Sequence, residues 1–238
     1  MSDHAISHRE SPPLLYADGA QRDFFRGVVL GARNLGFEHC AYLIGVPMRS
    51  ADWRFVMTSN FSRSWRERYL RHGYHAIDPT IAHAKTSALP LTWSSALFEP
   101  AFARDAQAIG LNHGWTQPLR SAHGRFGVLT LARSDAVVSA DELRAKLPMM
   151  QWLAQVVHAR LFGELLARHR NELGIHLTER EIEILRMAAE GGTAGDISEL
   201  TGVAERTINF HIANAINKLG ATNKTHAVTL AMRLGLID

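Results

Sequence analysis

Residues 177–236 constrain the fold most, because they carry the start and stop signals of several short helices in close succession. Thr178, followed three residues later by a glutamate, predicts a capping box at the start of the first helix. Gly191 and Gly192 end that helix, and Gly202 gives the backbone freedom for a tight turn between the second helix and the third. The spacing therefore predicts an all-α domain of four helices that contains a helix-turn-helix.

The second and third helices predict how this domain meets its surroundings. The second is expected to begin after Thr193 and to turn Ile197 and Leu200 inward. The third spans about residues 205–219, and its apolar residues recur at the spacing of one buried stripe. That stripe consists of Ile208, Ile212, Ala215 and Leu219. The opposite face consists of Arg206, Asn209, Ala213 and Asn217, flanked by Phe210 and Asn214.

A polar face with small side chains suits the major groove of DNA, because asparagine can pair with an adenine edge and small apolar groups can meet thymine methyls. A fourth helix is expected after Asn223, closing at Gly235. Residues 174–205 carry two basic and seven acidic side chains, whereas residues 206–233 carry four basic side chains and no acidic one. Basic charge on the last two helices favours DNA, since phosphate contacts supply most of the affinity. A four-helix scaffold that binds protein remains the alternative.

The composition of the whole chain bounds the other possibilities. At 238 residues the chain has room for one large or two modest domains. The basic excess behind its net charge of +3 is scattered over the first 173 residues, unlike a nucleic-acid tail. Cys40 is the single cysteine, which excludes a disulfide framework and is consistent with a cytoplasmic protein. No apolar run approaches the ~18 residues of a membrane span, so no membrane partner is expected.

The first 167 residues predict an α+β domain, an α-β-α sandwich with a central antiparallel sheet. Strands are expected at residues 39–46, 53–59, 114–120 and 124–133, and helices at 20–36, 62–72, 79–85, 100–109 and 139–168. Pro148 is expected to kink or restart the last helix. Residues 168–175 show no core face and are expected to link this domain to the helical domain at 176–238. Residues 1–13 are expected to be loose.

Catalytic and metal-binding patterns are missing from the first domain. It contains no G-x-S-x-G, P-loop, H-E-x-x-H or G-x-G-x-x-G motif, so no enzyme is expected. A phosphorylated receiver domain is excluded, because it needs a parallel sheet with acids at the strand ends. His72, His75 and His83 could hold a metal, but such gaps arise readily by chance among thirteen histidines. We therefore expect no metal site and no cofactor.

Large aromatic side chains are concentrated in one part of this domain. The group consists of Phe61, Trp65, Tyr69, Tyr74, Trp93 and Phe98, with Asp78 among them. Trp65 and Tyr69 lie four residues apart, hence on one helix face, and each combines an apolar body with a hydrogen-bond donor. A carboxylate at Asp78 needs a donor in such surroundings. An aromatic core with a helix-capping aspartate and a pocket for a small amide-bearing ligand both satisfy these residues.

Residues 177–236 resemble the DNA-binding domain of the LuxR family of bacterial transcription regulators. The residues that carry the resemblance are Leu177, Thr178, Glu181, Gly191, Ile197, Gly202, Val203, Thr207, Ile208, Asn209, Phe210, His211, Lys218, Leu219, Asn223 and Lys224. Gly192 departs from the family, which often has lysine there. The resemblance implies DNA contacts from Arg206, Thr207, Asn209, Phe210, Ala213, Asn214, Asn217, Lys218 and Lys224.

The first domain resembles the autoinducer-binding domain of LuxR-type quorum-sensing receptors, which bind N-acyl-homoserine lactones. The resemblance is carried, in order, by Trp65, Tyr69, Asp78, Pro79, Trp93 and Gly114. It implies that Trp65 donates to the lactone carbonyl and that Asp78 accepts the amide N–H. Tyr69 and Thr130 would serve the acyl carbonyl, and Trp93 would wall the lactone ring. The remaining pocket residues would be Phe61, Ile81 and Phe98, with a polar contact from Thr80.

The resemblance implies a ligand-responsive transcription regulator, because members of this family bind palindromic promoter sites as homodimers. Dimer contacts are expected through residues 149–165 and the closing helix. The ligand is expected to complete the pocket and so to stabilise the folded dimer. The alternative is a ligand-independent DNA-binding regulator whose first domain is a protein-interaction module.

Overall fold

The sheet of the first domain has five strands in the computed structural model, which describes residues 19–48 and 52–238. The strands are β1 (His39–Pro47), β2 (Trp53–Ser59), β3 (Leu91–Ser94), β4 (His113–Arg120) and β5 (Phe126–Arg133). Their order across the sheet is β2-β1-β5-β4-β3, and every neighbouring pair is antiparallel. The expectation for residues 1–13 lies outside the described residues.

Helices cover both faces of the sheet. They are α1 (Gly19–Asn34), α2 (Arg63–Arg71), α3 (Pro79–Thr86), α4 (Pro100–Gln107) and α5 (Ala140–Glu172). Alternate residues of β1 divide the core: Tyr42 and Ile44 pack with α1 and α5, whereas Ala41 and Leu43 pack with the side of α2, α3 and α4. This alternation is what a strand buried on both faces requires, and the expected α-β-α sandwich is confirmed.

One strand was not predicted from the sequence. β3 has four residues and pairs with β4, so that Trp93 lies opposite Gly114 and Leu91 opposite Thr116. A run of four residues is too short to show an alternation by itself. The strand exists because β4 offers it a free edge.

The long helix α5 runs through Pro148 as one 33-residue helix, so a restart there is wrong and a kink stays a prediction. It also continues to Glu172, into the segment expected to be a linker. The expectation that this segment lacks a core face is wrong, because His169 is only 1% exposed. The division of the chain into domains at 1–167 and 176–238 stays a prediction.

The second domain contains α6 (Glu179–Ala189), α7 (Ala194–Thr201), α8 (Glu205–Leu219) and α9 (Lys224–Arg233). Capping boxes begin α6 and α7, with Thr178 and Thr193 as the capping residues. The predicted buried stripe of α8 is confirmed. The expectation that Leu200 faces inward is wrong, because it is 80% exposed. Val203, from the turn after α7, packs against that core instead.

The two halves of the chain are in contact. Side chains from α5, among them Leu161 and Leu165, share one apolar cluster with Leu230 and Leu234. Arg170 Nη1 lies 2.9 Å from the carbonyl oxygen of Leu234, at the end of α9. No helix of the described residues is long and apolar enough to cross a membrane.

Candidate functional site

A cavity of about 60 Å³ lies between the sheet and the helices α2, α3 and α4. It is lined by Ala41, Leu43, Met57, Phe61, Trp65, Tyr69, Asp78, Thr80, Ile81, Trp93, Phe98, Phe102, Leu111, Val128, Thr130 and Ala132. The nine ligand residues expected from the sequence are all in this lining. The space holds only a few water molecules, so a larger ligand requires the lining side chains to move apart.

Helix α2 supplies the aromatic wall of the cavity. Ser62 caps it by accepting a hydrogen bond from the backbone N–H of Trp65. Trp65 and Tyr69 are the buried residues of this helix, and the Trp65 indole stacks on Phe102 of α4 with ring centroids 6.1 Å apart. Among the described residues, none accepts a hydrogen bond from the Trp65 Nε1–H. This donor is therefore available to a molecule in the cavity.

Asp78 both caps α3 and lines the cavity. Its Oδ1 accepts hydrogen bonds from the backbone N–H of Thr80 at 2.8 Å and from the Thr80 hydroxyl at 2.6 Å. Its Oδ2 accepts one from the Tyr69 hydroxyl at 2.9 Å. The capping interpretation is therefore correct, and about one lone-pair direction remains on a carboxylate that can accept about four hydrogen bonds.

The electrostatics of this carboxylate reflect its enclosure. Burial raises the pKa of Asp78, and the hydrogen bonds from Thr80 and Tyr69 oppose that rise. Burial raises the pKa of Tyr69 as well, and the nearby Asp78 charge adds to it, so the phenol is a neutral donor. The hydroxyl of Tyr69, expected at the acyl carbonyl, is thus engaged by Asp78 in this structure. The hydroxyl of Thr80 is engaged in the same way.

The two tryptophans of the cavity differ in what their N–H groups do. The Trp93 Nε1–H donates to the Thr116 hydroxyl at 2.9 Å, so it is satisfied within the protein. The indole lies directly on the neighbouring strand, since a Cβ atom added to Gly114 would lie 2.2 Å from Trp93 Cζ2. This arrangement requires glycine at position 114, because a Cβ atom there would overlap the indole. Trp93 therefore has its ring face, and not its N–H, available to the cavity.

The outward face of α8 is available for contact with DNA. Arg206, Thr207, Asn209, Ala213 and Asn217 are exposed. Phe210 is 60% exposed, and Asn214 is half-buried.

Two lysines expected to contact DNA are held by other parts of the domain. Lys218 forms an ion pair with Glu181 at 2.8 Å, and Lys224 Nζ lies 3.1 Å from the Gly192 carbonyl oxygen. Burial alone would raise the pKa of Glu181, yet hydrogen bonds from Lys218 and Thr178 hold it below its ordinary value. Lys218 therefore ties α8 to α6 in this structure.

Some residues of the site were not identified from the sequence. Phe102 and Val128 line the cavity, and the periodicity of α4 and β5 places them on the apolar face, but nothing local marks them as pocket residues. Thr116 carries no sequence signal, because its partners are 14 and 23 residues away. No three His, Cys, Asp or Glu side chains in the described ranges are grouped to hold a metal ion.

Comparison with known proteins finds two family matches along the chain. Residues 20–161 match the family described as "Autoinducer binding domain", and residues 176–231 match "Bacterial regulatory proteins, luxR family". The chain is similar to the transcriptional activator protein AnoR of Acinetobacter nosocomialis, with 38% identity over 219 residues that cover 90% of this chain and 92% of AnoR.

Two solved proteins share the fold. SdiA of Escherichia coli has a TM-score of 0.69 at 27% identity, over 93% of both chains. A second structure, of SdiA in complex with octanoyl-rac-glycerol, has a TM-score of 0.65 at 26% identity, over 93% of this chain and 91% of that one. The N-acylhomoserine lactone dependent factor CepR2 of Burkholderia cenocepacia has a TM-score of 0.54 at 31% identity, over 58% of this chain and 82% of that one.

Proposed function

The chain belongs to the LuxR family of bacterial regulatory proteins and carries its autoinducer-binding domain, and from this we propose that it binds an N-acyl-homoserine lactone and regulates transcription as a homodimer. The lactone occupies the cavity of the first domain. The second domain binds promoter DNA through α8. AnoR, the relative with 38% identity, is named a transcriptional activator, and we propose activation for this chain too.

The ligand proposal rests on one observation. A carboxylate and an indole N–H without an acceptor among the described residues line the same apolar cavity. Asp78 offers about one remaining acceptor position, and Trp65 offers a donor for which the described residues provide no acceptor. An N-acyl-homoserine lactone carries an amide N–H and two carbonyl groups, so it can meet both. A ligand that accepts from Trp65 and donates to Asp78 uses both groups at once.

The remaining roles follow from the positions around this pair. In the proposed complex Trp65 donates to the lactone carbonyl, and Asp78 accepts the amide N–H. Thr130 donates to the acyl carbonyl, and Tyr69 keeps its bond to Asp78 or shares it with that carbonyl. Trp93 covers the lactone ring with its face. The apolar wall for the ligand comes from Phe61, Ile81 and Phe98, and Thr80 orients Asp78.

The printed descriptions of two relatives support a small acyl ligand. CepR2 is described as N-acylhomoserine lactone dependent, and SdiA has been solved with octanoyl-rac-glycerol. Both compounds have an acyl carbonyl, but only the lactone has an amide N–H. The carboxylate of Asp78 can accept from that N–H or from a glycerol hydroxyl, so binding measurements must compare the two compounds.

The DNA-binding proposal rests on the exposed face of α8. Arg206 and Asn209 lie on the side turned away from the domain core, in the arrangement by which a recognition helix enters a major groove. A homodimer places two such helices on the halves of a palindromic site. Lys218 and Lys224 reach phosphate only if they give up their present partners or share them.

The proposed dimer surface on α5 includes fewer residues than the interval 149–165 expected from the sequence. Val157, Leu161 and Leu165 are buried in the protomer's own core. Met149 and Trp152 are 58% and 65% exposed and leave an apolar face on α5. We assign the dimer contact of this helix to those two side chains, together with the outer side of α9.

Calorimetry on the purified full chain tests the ligand proposal. N-octanoyl-homoserine lactone, octanoyl-rac-glycerol and the ring-opened N-octanoyl-homoserine are titrated in parallel. The intact lactone is expected to bind one per chain and to raise the melting temperature, since a ligand that binds only the folded state stabilises it. The ring-opened compound is expected to fail, because its carboxylate would be buried beside Asp78.

The alternative function predicts a different result from the same measurement. A ligand-independent regulator, whose first domain binds a protein, would show no heat with any of the three compounds and the same melting temperature in each. Binding of octanoyl-rac-glycerol alone would keep the ligand-responsive function and change the ligand class.

A further inference from the structure

Thr116 lies outside the cavity lining, yet it contacts two residues that form the cavity wall. It is on β4, directly opposite Thr130 of β5 in the register of the sheet, and its side chain is fully buried. Its hydroxyl oxygen is 2.9 Å from Trp93 Nε1 and 3.1 Å from the hydroxyl oxygen of Thr130. One side chain thus joins β3, β4 and β5 behind the cavity.

The chemistry of the three groups fixes the direction of the hydrogen bonds. An indole N–H can only donate, so the Thr116 oxygen accepts from Trp93. The Thr116 hydroxyl proton then needs an acceptor, because a buried donor without a partner is costly. The acceptor that the described residues offer is Thr130 Oγ1. Donation from Thr116 to Thr130 leaves the Thr130 proton free, and Thr130 is in the cavity lining.

We propose that Thr116 is a positioning residue, which orients the Thr130 hydroxyl as a donor toward the acyl carbonyl oxygen of the ligand and turns the Trp93 N–H away from the cavity. This inference rests on the proposed function for its ligand. The cavity then presents two donors, Trp65 and Thr130, and one acceptor, Asp78. That set complements a ligand with two carbonyl oxygens and one N–H.

The position of Gly114 supports the same arrangement. The Trp93 indole can lie across β4 only where the opposite residue has no Cβ atom. This placement carries Nε1 past Gly114 to Thr116, two residues farther along the strand. A Trp93 side chain pointing its N–H at the ligand would leave Thr116 without the donor that orients it.

The first test uses two substitutions that keep the size of the side chain close to that of threonine. Thr116→Val removes the hydroxyl, and Thr116→Ser retains it. With N-octanoyl-homoserine lactone as the probe, Thr116→Val is expected to bind at least tenfold more weakly in calorimetry, and Thr116→Ser within threefold of the original chain. Equal affinity in Thr116→Val and the original chain would overturn the proposal.

A double substitution separates positioning from a general packing effect. Thr116 is proposed to act through Thr130, so Thr116→Val should cost less than threefold when Thr130→Val is already present. A tenfold loss in both backgrounds would mean that Thr116 does not act through Thr130. Thr130→Val alone keeps the proposal testable if Thr116→Val does not fold, since it should weaken binding by the same tenfold and an unchanged affinity would contradict it.

A second measurement needs no ligand. In a chain with ¹⁵N-labelled tryptophan, hydrogen exchange of the Trp93 indole N–H should be slow in the original chain and in Thr116→Ser, and at least tenfold faster in Thr116→Val. Identical exchange in all three would overturn the hydrogen-bond arrangement. If the original chain binds no lactone, the proposed ligand is wrong, while this measurement still decides the role of Thr116. Octanoyl-rac-glycerol, which also has an acyl carbonyl, then replaces the lactone as the binding probe.

Discussion

At the scale of single residues, Asp78 occupies both positions that the sequence left as alternatives, a helix cap and a cavity wall. It caps α3 through Thr80, and its second oxygen faces Tyr69 at the cavity. The same carboxylate can therefore stabilise the fold and bind a ligand, because an ionised carboxylate accepts about four hydrogen bonds. A substitution that tests ligand binding at this position must therefore leave the helix cap intact.

Asp78→Asn meets this requirement, since asparagine is as good a helix cap as aspartate. We expect the fold to persist and the affinity for N-octanoyl-homoserine lactone to fall by about 10- to 100-fold, because hydrogen bonds to charged groups contribute about 1.5–3 kcal/mol. Calorimetry measures the loss. The exposed Asp135→Asn is the matched control and should bind as the original chain does. An unchanged affinity in Asp78→Asn would contradict the pocket assignment.

Gly114→Ala tests the close approach of Trp93. A Cβ atom there would lie 2.2 Å from the indole and 2.7 Å from the Leu131 carbonyl oxygen, so we expect a destabilisation of about 1–3 kcal/mol or more, as for an overpacked core. Urea unfolding measures it. Gly163→Ala in α5 is the control, because no heavy atom lies within 4 Å of its added Cβ; it should stabilise the helix by up to about 1 kcal/mol.

At the scale of elements, α5 connects the two halves and carries a buried histidine near its end. Burial lowers the pKa of His169 to about 4, and the charge of Arg54 adds to that effect. Among the described residues, its Nε2 has no hydrogen-bond partner. The folded chain therefore holds this imidazole neutral at a pH where the unfolded chain protonates it.

The resulting pH dependence has a definite sign. The folded pKa lies below the unfolded value of ~6.5, so the stability from His169 is fully present above that pH and is lost as the pH falls toward 4. Over this interval the loss is about 3 kcal/mol. His169→Gln should unfold with a flatter pH profile than the original chain in urea titrations. The exposed His176→Gln should keep the original profile, and a parallel profile in both variants would refute the assignment.

Helix α8 makes a separate prediction for DNA. Asn209→Ala should relax base preference more than overall affinity, because a base-edge contact carries sequence information. Lys224→Ala should weaken binding to all sequences alike and reduce the salt dependence, as expected for a phosphate contact. Footprinting on several sites across a salt series measures both effects. If Asn209→Ala weakens every site equally, the helix does not read bases through this residue.

At the scale of the whole molecule, the proposed dimer depends on a small apolar face of α5. Trp152→Glu should shift the chain toward the monomer, because it places a charge in an interface that must exclude water. Sedimentation velocity measures the change, and DNA binding should lose its dependence on both half-sites. Leu89→Glu changes a side chain that is 72% exposed elsewhere and is the control. An unchanged dimer in Trp152→Glu would place the interface on another surface.

The contacts between the two halves of the chain could not be predicted from the sequence of either half. The segment 168–175 is polar in sequence, yet His169 is buried and Arg170 holds the end of α9. The hydrogen bond that Arg170 makes is to a residue more than sixty positions away in the chain. The expectation that this segment has no core face was therefore wrong, because a local sequence pattern does not show which distant residues pack against it.

The structural features that the sequence predicted correctly are set by interactions between residues close together in the chain. The bounds and buried stripe of α8, the capping box of α6 and the cap of α7 at Thr193 follow from residues within about four positions of each other. The cavity residues that the sequence indicated, such as Trp65 and Asp78, came from the family resemblance together with their apolar setting. Their grouping in one lining agrees with that resemblance, and their contacts with a ligand remain a prediction.

Tertiary structure alone decided the remaining features, because each depends on atoms brought together from distant positions. These features are the pairing of β3 with β4, the exposure of Leu200 while Val203 packs against the core, and the contact of the end of α5 with Leu234. The direction of the Trp93 N–H depends on Thr116, 23 residues away. A sequence specifies such partners through the fold, since no short-range spacing encodes which side chains meet across a sheet.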